Sequence, residues 1–392
     1  MAAAARSLSL DKSIKIKRPW LAGFLTVDNG CLDCCKLRLA LQKPQTGVDH
    51  LVCRAISSLI ELIADKFFHV IIDSDGHDLG HARVPRRFDL HIETTIFASV
   101  RTMLEERLPV TNIQDIFKKS NVAVITGGAS GIGLAAAKYF AGRGMSVAIA
   151  DLGGDRLAHA ADELKAIAGE ENVMAVETDV AVKESLEALE RTVLQRFGRV
   201  HVLMNNAGIG PETSIFSPQA NWDHIFAVNL MGVINGTRTF GPKMLSHGEP
   251  GLIINTGSKQ GITTPPGNPA YNISKSGVKV FTEALEHELR NIEGGKISAH
   301  LLIPGFVFTG LTKGDRSEKP AAAWTPEQTV DFMVESLERG DFYILCPDND
   351  VARPVDERRM AWAAGDIIEN RPPLSRWHKD YAEKFKAYLE QK

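Results

Sequence analysis

The stretch VAVITGGASGIGLAAAKYFAGRG, residues 122–144, is the most informative part of this sequence about its fold. Its first five residues are those of a buried strand, and an alanine-rich segment that predicts a helix begins near Gly131. The glycines between them let the backbone turn tightly and approach a ligand without a Cβ in the way. A helix that opens there points free N–H groups and its positive dipole end at an anion. The order of strand, glycine-rich loop and helix therefore predicts a pyrophosphate-binding turn.

The spacing of this loop is G-x-x-x-G-x-G, formed by Gly127, Gly131 and Gly133. The next predicted strand ends at Asp151, whose carboxylate can bond to ribose hydroxyls and repel a 2′-phosphate. Together with the uncharged Ser130 and Leu152 nearby, it favours NAD over NADP. A solvated acid at a strand end is the alternative for Asp151.

Beyond residue 120 short apolar runs alternate with longer helical patterns, as expected for parallel strands covered on both faces. The expected fold class is α/β, a doubly wound, Rossmann-type, seven-stranded parallel sheet with helices on both faces. The predicted strands are 122–126, 146–151, 173–178, 200–204, 251–256, 298–303 and 341–345. The predicted helices are about 131–143, 155–168, 182–197, 221–246, 271–290 and 326–339, with a last helix at 379–390 in a polar tail, 350–392.

Composition bounds the function classes. The 392 residues are 44% hydrophobic and 24% charged, with a net charge of −3, which gives no support for a nucleic-acid partner. No run of roughly 18 apolar residues predicts a membrane span. The odd count of five cysteines argues against a disulfide framework and favours a reducing, cytoplasmic location.

Residues 1–115 lack the strand–helix rhythm, and we treat them as an N-terminal extension to a catalytic domain at 116–392. We expect them to be poorly ordered or loosely packed, or translated upstream of the true start. The first twenty residues hold five basic residues and one acid, a loose resemblance to an organellar transit peptide.

Within the extension, Cys31-x2-Cys34 and His50-x2-Cys53 have a spacing compatible with four-ligand zinc. The alternative, which we favour, is an ordinary helix start with free or buried thiols. We therefore predict no metal site.

The stretch AYNISK, 270–275, places Tyr271 and Lys275 four residues apart, on one face of a helix. That spacing alone is common on amphipathic helices. Its meaning depends on the motifs that precede it.

The segments TGGASGIG, NNAG (205–208), Ser258 and YNISK occur in an order that resembles the short-chain dehydrogenase/reductase family over residues ~117–345. The resemblance implies a cofactor site along the carboxyl edge of the sheet. Its expected residues are Gly127, Ser130, Gly131, Ile132, Gly133, Asp151, Asp179, Val180, Asn206, Ala207, Gly208, Tyr271, Lys275, Pro304, Gly305, Val307 and Thr309.

The same resemblance implies four catalytic residues, Asn229, Ser258, Tyr271 and Lys275. Tyr271 would be the acid–base group, with its phenolate stabilised by the Lys275 cation. Ser258 would hold the substrate oxygen, and Asn229 would support a proton relay. The alternative is that these residues have only structural roles, as a turn serine, a helix asparagine and a core tyrosine. We expect Lys259, an unusual neighbour of the serine, to face solvent rather than substrate.

The expected function is NAD(P)(H)-dependent hydride transfer with a secondary alcohol or ketone. A nucleotide sensor of the same fold without turnover is the alternative. Substrate determinants are expected in 209–214, in 259–267 and after Thr309. By resemblance, helices 221–246 and 271–290 would pair subunits in a homodimer or homotetramer.

Overall fold

The structure is a computed structural model, and it describes residues 113–390 together with the backbones of two short strands nearer the N-terminus. The chain divides into two compact units, Met1–Phe97 and Ala98–Lys392. In the first unit β1 (Phe24–Thr26) pairs antiparallel with β2 (Arg38–Ala40). The cysteine cluster of the extension lies outside the described residues.

The second unit is built on a seven-stranded parallel sheet, which confirms the predicted fold class. Its strand order is β5-β4-β3-β6-β7-β8-β9. The strands are β3 (Val122–Thr126), β4 (Ser146–Asp151), β5 (Val173–Glu177), β6 (Val202–Asn205), β7 (Gly251–Thr256), β8 (Ile297–Ile303) and β9 (Tyr343–Leu345).

Strand order reverses direction between β3 and β6, and this switch point opens a crevice at the carboxyl edge.

The helices are α1 (Ile113–Ile116), α2 (Gly131–Gly142), α3 (Asp155–Ala168), α4 (Lys183–Phe197), α5 (Gln219–Phe226), α6 (Gly232–Ser246), α7 (Gln260–Thr263), α8 (Pro269–Arg290), α9 (Pro326–Glu338), α10 (Arg353–Ile368) and α11 (Ala382–Glu390).

Two main hydrophobic layers cover the sheet, one on each face. Alternate residues of β3 separate into them: Ala123 and Ile125 face one layer, while Val122 and Val124 face the other. Ile116, in α1, is fully buried in the first layer, so this short helix belongs to the core. The near-continuous apolar strands follow from this two-sided burial.

The C-terminal tail contains more structure than the sequence predicts. Helix α10 is an additional element, and the final helix α11 is preceded by a 3-10 turn at Lys379–Tyr381. Trp362 of α10 is buried, with its indole N–H donating to Ser375 at 2.7 Å. In the described part of the chain no helix has the length and apolar character to cross a bilayer.

Candidate active site

The predicted cofactor residues collect along the carboxyl edge of the sheet, beside the switch point. Gly131, which opens α2, has φ +55°, and a Cβ there would lie 3.1 Å from the Thr309 methyl group. A Cβ on Gly133 would lie 2.6 Å from Asn206 Nδ2. The glycines thus allow the loop to pack closely against Thr309 and Asn206, and a turn of this kind at the start of a helix, here called the cradle, is suited to a pyrophosphate.

The other predicted residues of the glycine loop pack around the same turn. Ser130 is exposed immediately before α2, where its carbonyl accepts from Leu134 N at 3.2 Å. Ile132 is partly buried against the core. A Cβ on Gly127, at φ +65°, would lie 2.8 Å from Ala207 Cα. The loop is therefore packed directly against the NNAG segment.

Asp151 is partly buried at the end of β4 and is held by neighbours rather than freely solvated. Its Oδ2 accepts from Ala129 N at 3.1 Å, and its Oδ1 accepts from Leu152 N at 2.9 Å. The Arg156 guanidinium on α3 forms an ion pair with Oδ1 at 2.9 Å. Arg156 is not among the residues predicted from the sequence, although it lies only five residues after Asp151.

The NNAG segment is fixed across the switch point. Asn206 Nδ2 donates to Thr126 O at 3.2 Å, and Asn206 Oδ1 accepts from the Thr256 hydroxyl at 3.3 Å. Asn206 therefore connects three parallel strands at the edge where the cradle lies.

Asp179 and Val180 follow β5 on the same edge. Asp179 Oδ1 accepts from Ala181 N at 2.9 Å, which closes a side-chain turn. Val180 is buried, and a Cβ on Gly232 would lie 3.0 Å from its side chain. Both residues lie where the resemblance expects contacts to adenine.

Asn229 lies in a π-helical turn, Ala227–Met231, that separates α5 from α6. Such turns are frequent at functional sites. Its side-chain amide accepts from Ile209 N and donates to Ile209 O, both at 2.8 Å. Through these bonds the buried Asn229 connects the π-helical turn to the loop that follows NNAG.

Lys275 and Tyr271 project from α8 in the predicted arrangement. Lys275 Nζ lies 5.9 Å from the Tyr271 ring centroid and donates to Thr256 O at 2.8 Å. A Cβ on Gly208 would lie 3.4 Å from Asn229 Oδ1 and 3.7 Å from Lys275 Nζ. The structure thus places Asn229 and Lys275 together at Gly208, with the Tyr271 ring next to Lys275.

Burial shifts the pKa values of Tyr271 and Lys275 on α8. The pKa of Lys275 falls to about 8 because its cation is removed from water. Burial raises the pKa of Tyr271, while a hydrogen bond with the Ser258 side chain lowers it in part. The same bond places Ser258 beside the phenol, which completes the predicted set of four.

Asn268, immediately before α8, is a site residue that is not among those predicted from the sequence. Its Oδ1 accepts from Tyr271 N at 3.4 Å and from the Thr213 hydroxyl at 2.6 Å, and its Nδ2 donates to Pro211 O at 2.9 Å. The Asn-Pro pair before a helical pattern is the signal that could have identified it as a cap.

The expectation that Lys259 faces solvent is wrong. Its side chain is mostly buried between the carboxylates of Asp348 and Asp356. Both partners lie in the C-terminal part of the chain, so the serine loop (residues 257–259, between β7 and α7) gives no sign of them on its own.

The segment after β8 lies against the glycine loop through Thr309, as described above. A Cβ on Gly305 would lie 2.8 Å from Asp348 Oδ2, and the backbone of Pro304 accepts from Lys259 N at 3.4 Å. Val307 is buried and forms a bridge with Trp324. This segment therefore joins the cradle to the serine loop.

The described residues contain no group of three or more His, Cys, Asp or Glu side chains placed to hold a metal ion. The arrangement is instead that of a dinucleotide cradle next to a Ser–Tyr–Lys–Asn cluster. A glycine-rich turn at the start of a helix, followed by an acid at the end of the next strand, is a combination that fits a dinucleotide.

Comparisons with known proteins agree with this arrangement. The short chain dehydrogenase family profile matches residues 121–320. The 1-deoxy-11-beta-hydroxypentalenate dehydrogenase of Streptomyces exfoliatus is 30% identical over 265 residues, which cover 66% of this chain and 94% of that one.

Solved structures give the same result. A short-chain dehydrogenase/reductase from Burkholderia phymatum in complex with NAD is 34% identical with a TM-score of 0.59, covering 66% of this chain and 97% of that one. The L-sorbose reductase of Gluconobacter frateurii, complexed with NADPH and L-sorbose, is 28% identical with a TM-score of 0.52, covering 58% and 95%. On its fold, its motifs and these matches, the chain belongs to the short-chain dehydrogenase family of oxidoreductases.

Proposed function

We propose that this protein catalyses NAD(H)-dependent interconversion of a secondary alcohol and a ketone, with Tyr271 as the acid–base group. The main support for this proposal is that four side chains lie together beside the cradle: Ser258, Tyr271, Lys275 and Asn229. The bound nicotinamide would supply the hydride acceptor or donor.

The protein's own part is to hold the substrate oxygen and move its proton. Ser258 and Tyr271 hydrogen-bond to one another, so both hydroxyls can meet one substrate oxygen. In alcohol oxidation the Tyr271 phenolate takes the hydroxyl proton. In carbonyl reduction the phenol returns it.

Burial desolvates the phenolate and raises the pKa of Tyr271, so little of the basic form is present near neutral pH. The Lys275 cation favours that phenolate electrostatically from one helical turn away. Asn229 and Lys275 share the crevice at Gly208, which supports the proton route implied by the family resemblance.

A wall of the substrate site is suggested by Gly210. A Cβ there would lie 3.2 Å from Leu311 Cδ1 and 3.9 Å from the Tyr271 ring. Leu311 is exposed and lies in the segment after Thr309. The position of this apolar side chain supports a substrate with an apolar substituent next to its reacting carbon.

The alternative is a nucleotide sensor that retains the fold without turnover. A panel of secondary alcohols and ketones, followed by the absorbance of reduced nicotinamide, distinguishes the two. We expect turnover with at least one apolar member. Tight cofactor binding with no turnover across the panel would instead support the sensor.

Cofactor choice provides a second test, through Asp151→Ala. Charged hydrogen bonds contribute about 1.5–3 kcal/mol, so we expect NADH affinity to fall by roughly 10- to 150-fold. The variant also releases Arg156 from its ion pair, so NADPH affinity should rise. Titration of both reduced cofactors by fluorescence measures the ratio.

The matched control for this experiment is Asp162→Ala, on the same helix as Arg156 and near Lys165 instead. It should leave both affinities unchanged. If the wild-type protein bound NADPH more tightly than NADH, the assignment of Asp151 to cofactor selection would be wrong.

We also propose that the protein assembles as a homodimer or homotetramer through α8. Ile273, Val280 and Ala284 form an exposed apolar stripe on this helix, with Ile273 50% and Val280 62% exposed.

Val280→Glu would place a charge in that interface, so sedimentation should show a smaller species. Ile167→Glu, at an exposed position of α3, is the control. An assembly that Val280→Glu leaves intact would exclude this face.

A further inference from the structure

The residue after the candidate catalytic serine is part of a buried ion cluster. Lys259 Nζ lies 3.3 Å from Asp348 Oδ2 and 2.5 Å from Asp356 Oδ2. The side chains are 16%, 9% and 4% exposed for Lys259, Asp348 and Asp356. Arg359 adds a second cation, 3.9 Å from Asp356 Oδ1.

The cluster joins three separate segments of the chain. Lys259 belongs to the serine loop, Asp348 follows β9, and Asp356 lies in the first turn of α10. Asp348 Oδ2 also accepts from Phe306 N at 3.4 Å, in the segment that follows β8. The two carboxylates therefore connect different parts of the chain. Asp356 links α10 to the serine loop, and Asp348 links that loop to the segment that follows β8.

This arrangement excludes two simpler functions for Lys259. It is not a solvated surface charge, because both partners are buried. It is also not a free cation for an anionic substrate, because two carboxylates already surround it. Removal of one partner from a buried ion pair is unfavourable because the remaining charge is left uncompensated. The cluster therefore resists movement.

The backbone around Lys259 transmits this constraint to the reacting groups. Ser258 Oγ accepts from Gln260 N at 3.1 Å, so the serine rotamer depends on the start of α7. Gly261 of α7 is in close contact with α8: a Cβ there would lie 2.6 Å from the Lys275 carbonyl carbon, and its own carbonyl accepts from the Ser276 hydroxyl at 2.8 Å. A shift of Lys259 would thus move Ser258 relative to Tyr271.

We propose that Lys259 is a positioning residue through which the C-terminal helix α10 fixes Ser258 for proton transfer. The inference rests on the proposed function for its catalytic consequence. The tail is then a required part of the active site, although none of its residues needs to touch substrate.

The test uses Asp356→Asn and Lys259→Arg in the full chain, with Lys183→Met as control. Asp356→Asn keeps Lys259 paired with Asp348, so folding is preserved while the link to α10 weakens. We expect kcat to fall by roughly 10- to 100-fold, since a displacement of about 1 Å can cost that much. NADH affinity should stay at the wild-type value, because the cradle is formed by other residues.

Lys259→Arg keeps the charge and should retain more activity than Asp356→Asn. Lys183→Met breaks an exposed pair with Glu187 on α4 and should change neither quantity. Hydrogen exchange supplies a readout independent of turnover. The amides of Gly261 and Ile262, bonded to Ser258 O and Lys259 O at 2.9 and 3.1 Å, should exchange faster in Asp356→Asn.

Wild-type kcat in Asp356→Asn, with only a lower melting temperature, would reduce the cluster to a structural clamp and overturn the proposal. Wild-type protein without turnover would instead overturn the proposed function. In that case exchange at Gly261 and Ile262 decides this inference alone: unchanged rates in Asp356→Asn would contradict the link from α10 to the serine loop.

Discussion

Tyr271→Phe should lower kcat by roughly 10²- to 10⁴-fold, the usual contribution of a positioned acid–base group. The substitution removes only the phenol oxygen and keeps the ring that packs near Gly210. Binding of NADH should therefore change by less than about threefold, so that the loss is confined to the chemical step. Steady-state kinetics and a fluorescence titration of the same preparation measure both quantities.

Tyr139→Phe is the matched control, because it deletes the same atom from a tyrosine that packs against Phe117 and Phe140 in the core. Its kcat should equal that of the wild type. Ser258→Ala combined with Tyr271→Phe should cost little more than Tyr271→Phe alone, since the two hydroxyls act on one oxygen. If Tyr271→Phe kept most of its turnover, another group would have to move the proton.

Lys275→Met should abolish most activity and yet stabilise the protein. The variant removes the cation that favours the phenolate, so kcat should fall by at least about 10²-fold. It also removes a buried cation whose pKa is lowered to about 8 by desolvation. The unfolding midpoint at neutral pH should rise by several degrees, since one kcal/mol is equivalent to roughly 2–4 °C in a domain of this size.

This stability difference should depend on pH in a defined direction. In the unfolded chain Lys275 holds its proton to its ordinary pKa of 10.5, while in the folded chain the proton leaves near 8. Between these values the unfolded state binds more protons, so the wild type gains stability as pH rises. The advantage of Lys275→Met should therefore shrink from pH 8 towards 10.5.

Lys279→Met is the control for this pair of measurements. Lys279 lies one turn further along α8 and pairs with Glu283 at 2.7 Å near the surface. Its loss should change neither kcat nor the pH dependence. A Lys275→Met protein that is less stable than wild type at neutral pH would show that the bond to Thr256 O outweighs desolvation.

Local pattern predicted much of this architecture because the determining interactions are local. β3, β4 and β7 have the predicted bounds, since strands covered on both faces are apolar along their whole length. The glycine loop was recognisable because positive φ at Gly127 and Gly131 requires this residue type.

Other features depend on contacts that are distant in sequence. The expected single helix at 221–246 begins at Gln219 and is interrupted by the π turn at Asn229, which no local propensity indicates. Helix α10 has a weak apolar pattern, and its residues are fixed by partners such as Lys259. The orientation of Lys259 itself depends on aspartates about ninety residues away.

The proposed hydride transfer can be followed directly with a deuterated substrate. A secondary alcohol that is turned over, deuterated at its carbinol carbon, is incubated with the protein and NAD, and the reduced cofactor is analysed by mass spectrometry. We predict deuterium in the reduced nicotinamide with the wild type and a rate lowered in proportion to kcat with Tyr271→Phe. Reduced nicotinamide without deuterium, or equal rates for the two proteins, would contradict it.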